Sequence, residues 1–183
     1  DSEGRVSHIA ALKVKDIAGK QVNGITVDGT MVYLATDFGL VELDVKVGVL
    51  RTSYRLGVEV QQAVKWQGDY DLATAGSIWR GKKGENLFTP GNWEKIPSGR
   101  WTRLYTATDK LIGVMDGKVN TFTPAEGRKE LSPLPCAYLC ATDAGFVWGD
   151  GSRIFSCKAD CGDVQELTAE GAAAAWNFVQ GKG

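Results

Sequence analysis

Four cysteines in the second half of the chain are the residues whose type and spacing come closest to a chemical site. They form two pairs, each with three residues between its members. Close ligand pairs in structural zinc sites usually have about two to four residues between them. Two such pairs faintly suggest a four-sulfur zinc site. The cysteines are Cys136, Cys140, Cys157 and Cys161.

The two pairs differ in the disulfide chemistry that they allow. Cys136 and Cys140 lie in or beside a predicted strand, where four residues cover ~13 Å, beyond the ~7 Å that a disulfide allows between Cα atoms. We therefore expect no bond between them. Cys157 and Cys161 bracket a predicted hairpin loop whose ends meet. A Cys157–Cys161 disulfide is plausible in an oxidising compartment, and free thiols or a metal site stay open as alternatives.

No other motif predicts catalysis. Asp37-Phe38-Gly39 matches a kinase tripeptide, but the other kinase motifs do not accompany it, and a β-turn is the simpler interpretation. Residues 76–83 resemble a phosphate-binding loop, but Lys83 stands where Ser or Thr is needed. His8 is the only histidine and lies in a predicted outer strand. We predict no catalytic residues, no cofactor and no metal, and hence a protein that is not an enzyme.

The elements that would position any such residue repeat along the chain. Each repeat has an apolar run, a turn that carries glycine, and a second strand-like run. Asp-Gly at residues 116–117 and 150–151, flanked by β-forming residues, is a strong hairpin signal. The aligned turn glycines, separated by 37, 41 and 34 residues, are Gly39, Gly76, Gly117 and Gly151.

Further strand-like segments flank each hairpin and give four strands per repeat of roughly 40 residues, the period of a β-propeller blade. Middle strands such as residues 31–35 are apolar on both faces and must be covered on both sides. Fourth strands such as residues 51–55 are more polar and suit an outer edge. The sequence therefore predicts an all-β fold, a β-propeller made of consecutive four-stranded antiparallel blades.

The predicted blades lie at residues 22–57, 58–98, 101–133 and 136–168 of a single domain that spans residues 1–183. Residues 5–16 have the pattern of the outer strand of a preceding blade, so we expect a partial propeller of about four to five blades, with a complete four-bladed propeller as the alternative. The alanine-rich segment at residues 170–177 is either a short helix or the start of another blade. A partial propeller leaves apolar blade faces open, which predicts self-association.

Composition narrows the classes of partner. Lysine and arginine together number 21 and aspartate and glutamate 22, which gives a formal net charge of −1. Nucleic-acid binding would need a strongly basic face, so we expect none. The sequence contains no stretch of ~18 apolar residues, so we expect no membrane span.

The first repeat carries a more specific likeness. Residues 15–25, 32–44 and 52–57, with a Thr-x-x-Gly-Leu turn at residues 36–40, resemble the N-terminal propeller of PorZ-type proteins of the Bacteroidetes type IX secretion system. The same turn is similar to the two-component-regulator propeller repeats of periplasmic sensors. The specific match covers residues 5–57, and the Thr-x-x-Gly turn is expected to be degraded in the later repeats.

The resemblance implies a non-enzymatic binding and scaffold module of the attachment complex, at the cell surface or in the periplasm of a Gram-negative bacterium. There it would interact with a sortase-like peptidase and with lipopolysaccharide. The alternative is a periplasmic oligosaccharide-sensing propeller of a hybrid two-component system. The resemblance supplies no catalytic residues, and the quoted repeat residues are structural.

Overall fold

The computed structural model describes residues 21–167. Predictions for the outer strand at residues 5–16, for His8 and for the alanine-rich segment at residues 170–177 therefore lie outside the described residues. The chain divides into two compact units, one that ends at Ile96 and one that begins at Pro97.

Strands make up almost all of the regular structure in residues 21–167, with one 3₁₀ turn at Pro90–Asn92. Blade 1 consists of β1 (Val22–Asp28), β2 (Met31–Thr36), β3 (Gly39–Asp44) and β4 (Val49–Arg55). Blade 2 consists of β5 (Gln62–Trp66), β6 (Asp69–Ala73), β7 (Ser77–Gly81) and β8 (Glu94–Pro97). Blade 3 consists of β9 (Trp101–Thr106), β10 (Leu111–Met115), β11 (Lys118–Thr123) and β12 (Gly127–Pro135). Blade 4 consists of β13 (Tyr138–Thr142), β14 (Gly145–Gly149), β15 (Ile154–Lys158) and β16 (Gln165–Glu166).

Each blade is one sheet whose strands are hydrogen-bonded in sequence order. The predicted all-β fold of consecutive four-stranded antiparallel blades is thereby confirmed. Blades 1 and 2 form the first unit, with β8 ending at its boundary, and blades 3 and 4 form the second. β12 ends at Pro135, beyond the expected limit at residue 133.

The middle strands are buried on both faces. Every residue of β3 and β10 is buried. In β2 the faces alternate: Tyr33 and Ala35 pack in one apolar cluster with residues of blade 2, whereas Val32 and Leu34 belong to a separate cluster. Successive side chains of a strand point to opposite faces of the sheet, so such a strand is stable only with a covering layer on each side.

Polar side chains join blade 1 to blade 2 where β1 and β5 lie side by side. Thr26 Oγ1 donates a hydrogen bond to the Ala63 carbonyl at 2.6 Å, and Gln62 Nε2 donates to Thr26 Oγ1 at 2.5 Å. Asn23 Nδ2 donates to the Val60 carbonyl at 3.0 Å. These directional bonds fix the register of one blade against the next, which apolar contact alone does not do.

A buried carboxylate ties the middle strands of the same two blades. The Tyr70 hydroxyl on β6 donates to Glu42 Oε1 on β3 at 2.5 Å, and both residues are buried. The rings of Tyr33 and Tyr54 pack on Tyr70, with centroids 6.1 and 5.7 Å away. Burial and the hydrogen bond to Glu42 raise the pKa of Tyr70 well above its usual range. The hydroxyl therefore stays protonated and able to donate at neutral pH.

In the second unit one apolar cluster fills the space between blades 3 and 4. Trp148 and Phe155 stack with ring centroids 5.8 Å apart and an interplanar angle of 22°. Phe146 lies 6.4 Å from Tyr105, whose hydroxyl donates to the Leu139 carbonyl at 3.0 Å. Blade 3 and blade 4 thus meet through a core of large rings, with the Tyr105–Leu139 hydrogen bond at its side.

The Thr-x-x-Gly turn between β2 and β3 requires its glycine. Thr36 Oγ1 donates to the Gly39 carbonyl at 2.9 Å. The φ of Gly39 is 141°, and a Cβ at this position would overlap the carbonyl oxygen of Tyr54. β4 therefore passes too close to the turn for any larger residue.

The same turn recurs in blade 4, so the expectation that it is degraded in later repeats is wrong there. Thr142 Oγ1 donates to the Gly145 carbonyl at 3.2 Å, the φ of Gly145 is 148°, and a Cβ would overlap the Cys157 carbonyl oxygen. Asp44 and Asp150 follow these turns at the same interval, and each accepts bonds from turn amides and from an arginine. The turn joins the second and third strands in blade 1 but the first and second strands in blade 4. The position of the Thr-x-x-Gly turn within its blade therefore differs by one strand between blade 1 and blade 4.

Removing the Tyr70 hydroxyl should destabilise the first unit. Tyr70→Phe leaves the buried Glu42 carboxylate without its donor, so we expect the free energy of unfolding to fall by about 2–3 kcal/mol. The matched control is Tyr105→Phe, which removes a bond to a neutral carbonyl and should cost about 1 kcal/mol. Urea unfolding followed by tryptophan fluorescence measures both. Equal losses would show that the Glu42 carboxylate does not depend on Tyr70.

Alanine at the two turn glycines should be far more damaging than alanine at an open glycine. Gly39→Ala and Gly145→Ala combine an unfavourable φ with overlap on a backbone oxygen, and we expect a loss of about 3 kcal/mol or more. Gly29 has a φ of 58° but open space around its Cα, so Gly29→Ala should cost about 1 kcal/mol. Thermal unfolding of the three variants tests this, and three similar losses would contradict the overlap.

Candidate binding surface

The longest connection between consecutive strands of one blade, within the part of the chain that the structure describes, runs from Lys82 to Trp93 between β7 and β8. Its counterparts between the third and fourth strands of the other blades are residues 45–48, 124–126 and 159–164. We call residues 82–93 the aromatic loop. Compact loops packed by their own side chains frequently carry function.

Two apolar side chains anchor the aromatic loop to its sheet. Leu87 and Trp93 are buried, and Trp93 Nε1 donates to the Leu87 carbonyl at 2.9 Å. Both lie against Gly81 at the end of β7, where a Cβ would come within 2.8 Å of Trp93 and 2.9 Å of Leu87. The absence of a side chain at Gly81 therefore leaves the space in which Leu87 and Trp93 pack.

Hydrogen bonds inside the loop hold its tip in one conformation. Asn86 Oδ1 accepts from the Phe88 amide at 3.3 Å, and the Asn86 carbonyl accepts from the Thr89 amide at 3.3 Å and from Asn92 Nδ2 at 2.9 Å. The 3₁₀ turn that begins at Pro90 follows, and proline fixes φ there. The loop is consequently ordered by its own contacts before any partner arrives.

Phe88 stands at this tip with 67% of its surface exposed. Its ring rests on Tyr54, with centroids 5.4 Å apart and planes inclined by 40°. Each Å² of apolar surface that a partner covers is worth about 25 cal/mol, and a side chain already held in place loses little entropy on contact. Aromatic residues, phenylalanine among them, are enriched at the centres of protein interfaces.

Charged groups border the base of the aromatic loop. Lys82 Nζ and Glu94 Oε2 form an exposed ion pair at 3.1 Å. The Lys83 amide donates to Asp69 Oδ1 at 2.8 Å. An exposed ion pair contributes little to folding, but an apolar centre inside a polar rim is the usual anatomy of a protein–protein interface. The surface is suited to a protein partner.

The sequence did not single out this surface. None of the motifs selected from the sequence lies at residues 84–93. The signal that could have revealed the loop is the long interval between Gly81 and the polar strand at residue 94. Within it, Pro90 and Gly91 follow the apolar pair Leu87-Phe88, a pattern typical of a turn that presents an apolar residue.

The residues selected from the sequence occupy structural positions in the hairpins. The phosphate-loop-like stretch at residues 76–83 begins in a turn and continues as β7, where Arg80 forms a buried ion pair with Asp71 at 2.8 Å. Asp37 of the kinase-like tripeptide accepts from Asn23 Nδ2 at 3.1 Å in the β2–β3 turn. The glycines that lie in or next to the turn between the second and third strands of their blades are Gly39, Gly76, Gly117 and Gly151.

All four cysteines are free thiols in the structure. Cys157 and Cys161 are buried in the cluster between blades 3 and 4, whereas Cys136 and Cys140 are partly exposed. Within residues 21–167 no group of three or more His, Cys, Asp or Glu side chains could hold a metal ion. No helix in the same range is long and apolar enough to cross a membrane. The Cys157–Cys161 disulfide stays a prediction.

Successive four-stranded antiparallel sheets with covered middle strands define the class of β-propellers. The profile of the N-terminal β-propeller domain of PorZ, from the type IX secretion system, matches residues 1–94. This chain belongs to that family. No curated protein shows significant sequence similarity to it.

Solved structures of other proteins have a similar fold. PorZ of Porphyromonas gingivalis, an essential bacterial surface component of the type IX secretion system, is 25% identical with a TM-score of 0.76 over 91% of this chain. This chain spans only 23% of the length of that protein. The extracellular domain of a putative hybrid two-component system from B. thetaiotaomicron is 15% identical with a TM-score of 0.54, over 80% of this chain and 22% of its own. The second likeness shows the fold alone.

The anchor and the tip of the aromatic loop should respond differently to truncation. Trp93→Ala leaves a cavity against Gly81 and should lower the free energy of unfolding by about 3–5 kcal/mol. Phe88→Ala removes an exposed ring and should change it by less than about 0.5 kcal/mol. Urea unfolding of both variants checks the contrast. A large loss in Phe88→Ala would show that this ring belongs to the core instead of the surface.

Proposed function

We propose that this chain is a non-enzymatic binding and scaffold module of the type IX secretion attachment complex at the surface of a Gram-negative bacterium. Its partners in this proposal are a sortase-like peptidase and lipopolysaccharide. Membership of the PorZ family supports the role in secretion. The observation that carries the binding role is Phe88, which is largely exposed on a loop that its own contacts hold rigid.

The aromatic loop fits the peptidase better than the lipopolysaccharide. The Phe88 ring has no hydrogen-bonding group, and the amide groups beside it are engaged within the loop. Saccharides present hydroxyl groups, which a site must meet with donors and acceptors. An apolar side chain from a protein partner needs only the ring and its rim. We therefore assign the peptidase to the aromatic loop and the lipopolysaccharide to another part of the surface.

The placement of buried carboxylates supports a binding role without turnover. Asp71 is paired with Arg80, and Glu42 accepts from Tyr70. Asp150 accepts from the Ser152 and Arg153 amides and from the Arg153 guanidinium, and these bonds hold the pKa of Asp150 well below its usual range. Each of these groups secures a sheet or a turn, whereas a general acid or base needs a pKa near the working pH and access to substrate.

Self-association is a secondary part of the proposal. Valines at one end of blade 1 are exposed, in β1, in the β3–β4 connection and at the start of β4, and an apolar group of this kind favours contact with a second copy of the chain. The exposed residues are Val27, Val45, Val47 and Val49. The oligosaccharide-sensing alternative has the support of fold likeness alone.

Binding of the purified 183-residue chain to the immobilised peptidase, and separately to lipopolysaccharide, tests the proposal. We expect the native chain to bind both. Phe88→Ala should weaken binding to the peptidase at least about tenfold, the usual loss when an interface centre is truncated, and leave lipopolysaccharide binding unchanged. The matched control is Val47→Ala, which removes an exposed apolar residue of blade 1 and should leave peptidase binding intact. Light scattering of native and Val47→Ala chains separates self-association from partner binding.

Three outcomes would contradict the proposal. Binding of neither partner by the native chain would remove the scaffold role. Equal peptidase affinity in Phe88→Ala would remove the aromatic loop from the interface. Binding of free oligosaccharide, with no affinity for the peptidase, would favour the sensing alternative.

A further inference from the structure

The turn between β15 and β16 brings two cysteines together. The Lys158 amide donates to the Gly162 carbonyl at 2.9 Å, and the Cys161 amide donates to the Lys158 carbonyl at 2.9 Å. Cys161 has a φ of 64°, a left-handed conformation that reverses the chain within a single residue. Cys157, in β15, and Cys161 are both buried in the same apolar cluster.

The two thiols contact each other, and the other two cysteines do not take part. The Cys161 thiol donates a hydrogen bond to the Cys157 sulfur, which lowers the pKa of Cys157 and raises that of Cys161. Cys136 Sγ instead donates to the Tyr138 carbonyl at 3.3 Å. Cys140 lies on the extended strand β13. Only one cysteine pair is therefore arranged so that a small movement could join the sulfur atoms.

We propose that Cys157 and Cys161 form a redox-active pair, which an external disulfide converts to an intramolecular disulfide that staples the β15–β16 turn. The Cys157 thiolate attacks one sulfur of the external disulfide, and its partner sulfur leaves as a thiol. Cys161 loses its proton and attacks the Cys157 sulfur of the mixed disulfide, which releases the second external thiol. Two electrons pass from the cysteines to the external disulfide, and one S–S bond is exchanged for another.

Burial determines when this exchange takes place. Both cysteines are at least nine-tenths covered, and a buried thiol is a poor target for an external disulfide. Exchange then requires the turn to open or occurs before the sheet is complete. Once formed, the bond is protected by the same cover, so we expect slow reduction in the folded chain.

The staple would act on a segment that connects blades 3 and 4. The Ala159 carbonyl, inside the turn, accepts from the Thr108 amide at 3.2 Å in the β9–β10 connection. Lys158 Nζ pairs with Asp163 Oδ2 at 2.5 Å across the turn. A bond between Cys157 and Cys161 fixes the turn in the conformation that makes these contacts, and so stabilises the second unit against unfolding.

Refolding the full chain in a mixture of oxidised and reduced glutathione tests the proposal. Alkylation followed by peptide mass mapping should then show free thiols at Cys136 and Cys140 and a peptide linked through Cys157 and Cys161. Addition of a strong reductant after unfolding should restore all four thiols. The melting temperature of the oxidised chain should exceed that of the reduced chain by about 5 °C.

Two double variants provide matched controls. The chain with Cys136→Ala and Cys140→Ala should keep the linked peptide and the full temperature difference. The chain with Cys157→Ala and Cys161→Ala should melt at the same temperature in both redox states, and mapping of the native chain decides the question if this variant fails to fold. Four alkylated thiols after oxidative refolding would overturn the proposal. A stable mixed disulfide with glutathione, or a bond that involves Cys136 or Cys140, would overturn it equally.

Discussion

Burial of both faces of the middle strands is the constraint on which the rest of the structure depends. A sheet whose strands resemble β3 or β10 has no face that can be left in water. Each blade is therefore unstable alone and becomes stable against a neighbouring blade, which is the physical reason for repetition. The outer strands follow from the same constraint, because β4 and β8 are the places where polar residues can reach solvent.

Apolar burial explains why blades stack but not how they are aligned. The alignment in the first unit comes from polar groups that can be satisfied in one register only: Thr26 with Gln62, and Glu42 with Tyr70. A shift of blade 2 along blade 1 would leave the Glu42 carboxylate buried without a donor, which costs more than the shift could gain in packing. The second unit relies more on shape, since the stacked rings of Trp148 and Phe155 fill its core.

The fold could be predicted from sequence because hairpins leave local signals. The Asp-Gly turns and the doubly apolar strands were enough to predict consecutive four-stranded antiparallel blades. The strand positions in blade 4 were harder to predict, because the Thr142–Gly145 turn has the same hydrogen bond as the turn in blade 1 but joins different strands. That difference lies in strand pairing, which no local pattern records. The aromatic loop was missed for a similar reason: Leu87, Phe88 and Trp93 are all apolar, and only their contacts show that Phe88 faces solvent.

The position of the aromatic loop follows from which parts of a blade are free to vary. The middle strands are fixed by burial, and the β3–β4 connection is held tight by Asp44, which accepts from two turn amides and from Arg51. The β7–β8 connection leads to an outer strand that carries little of the core. Extra residues there cost little in loop entropy, provided that they bury an anchor of their own. Trp93 and Leu87 supply that anchor on Gly81, so the loop can present Phe88 without disturbing the sheets that support it.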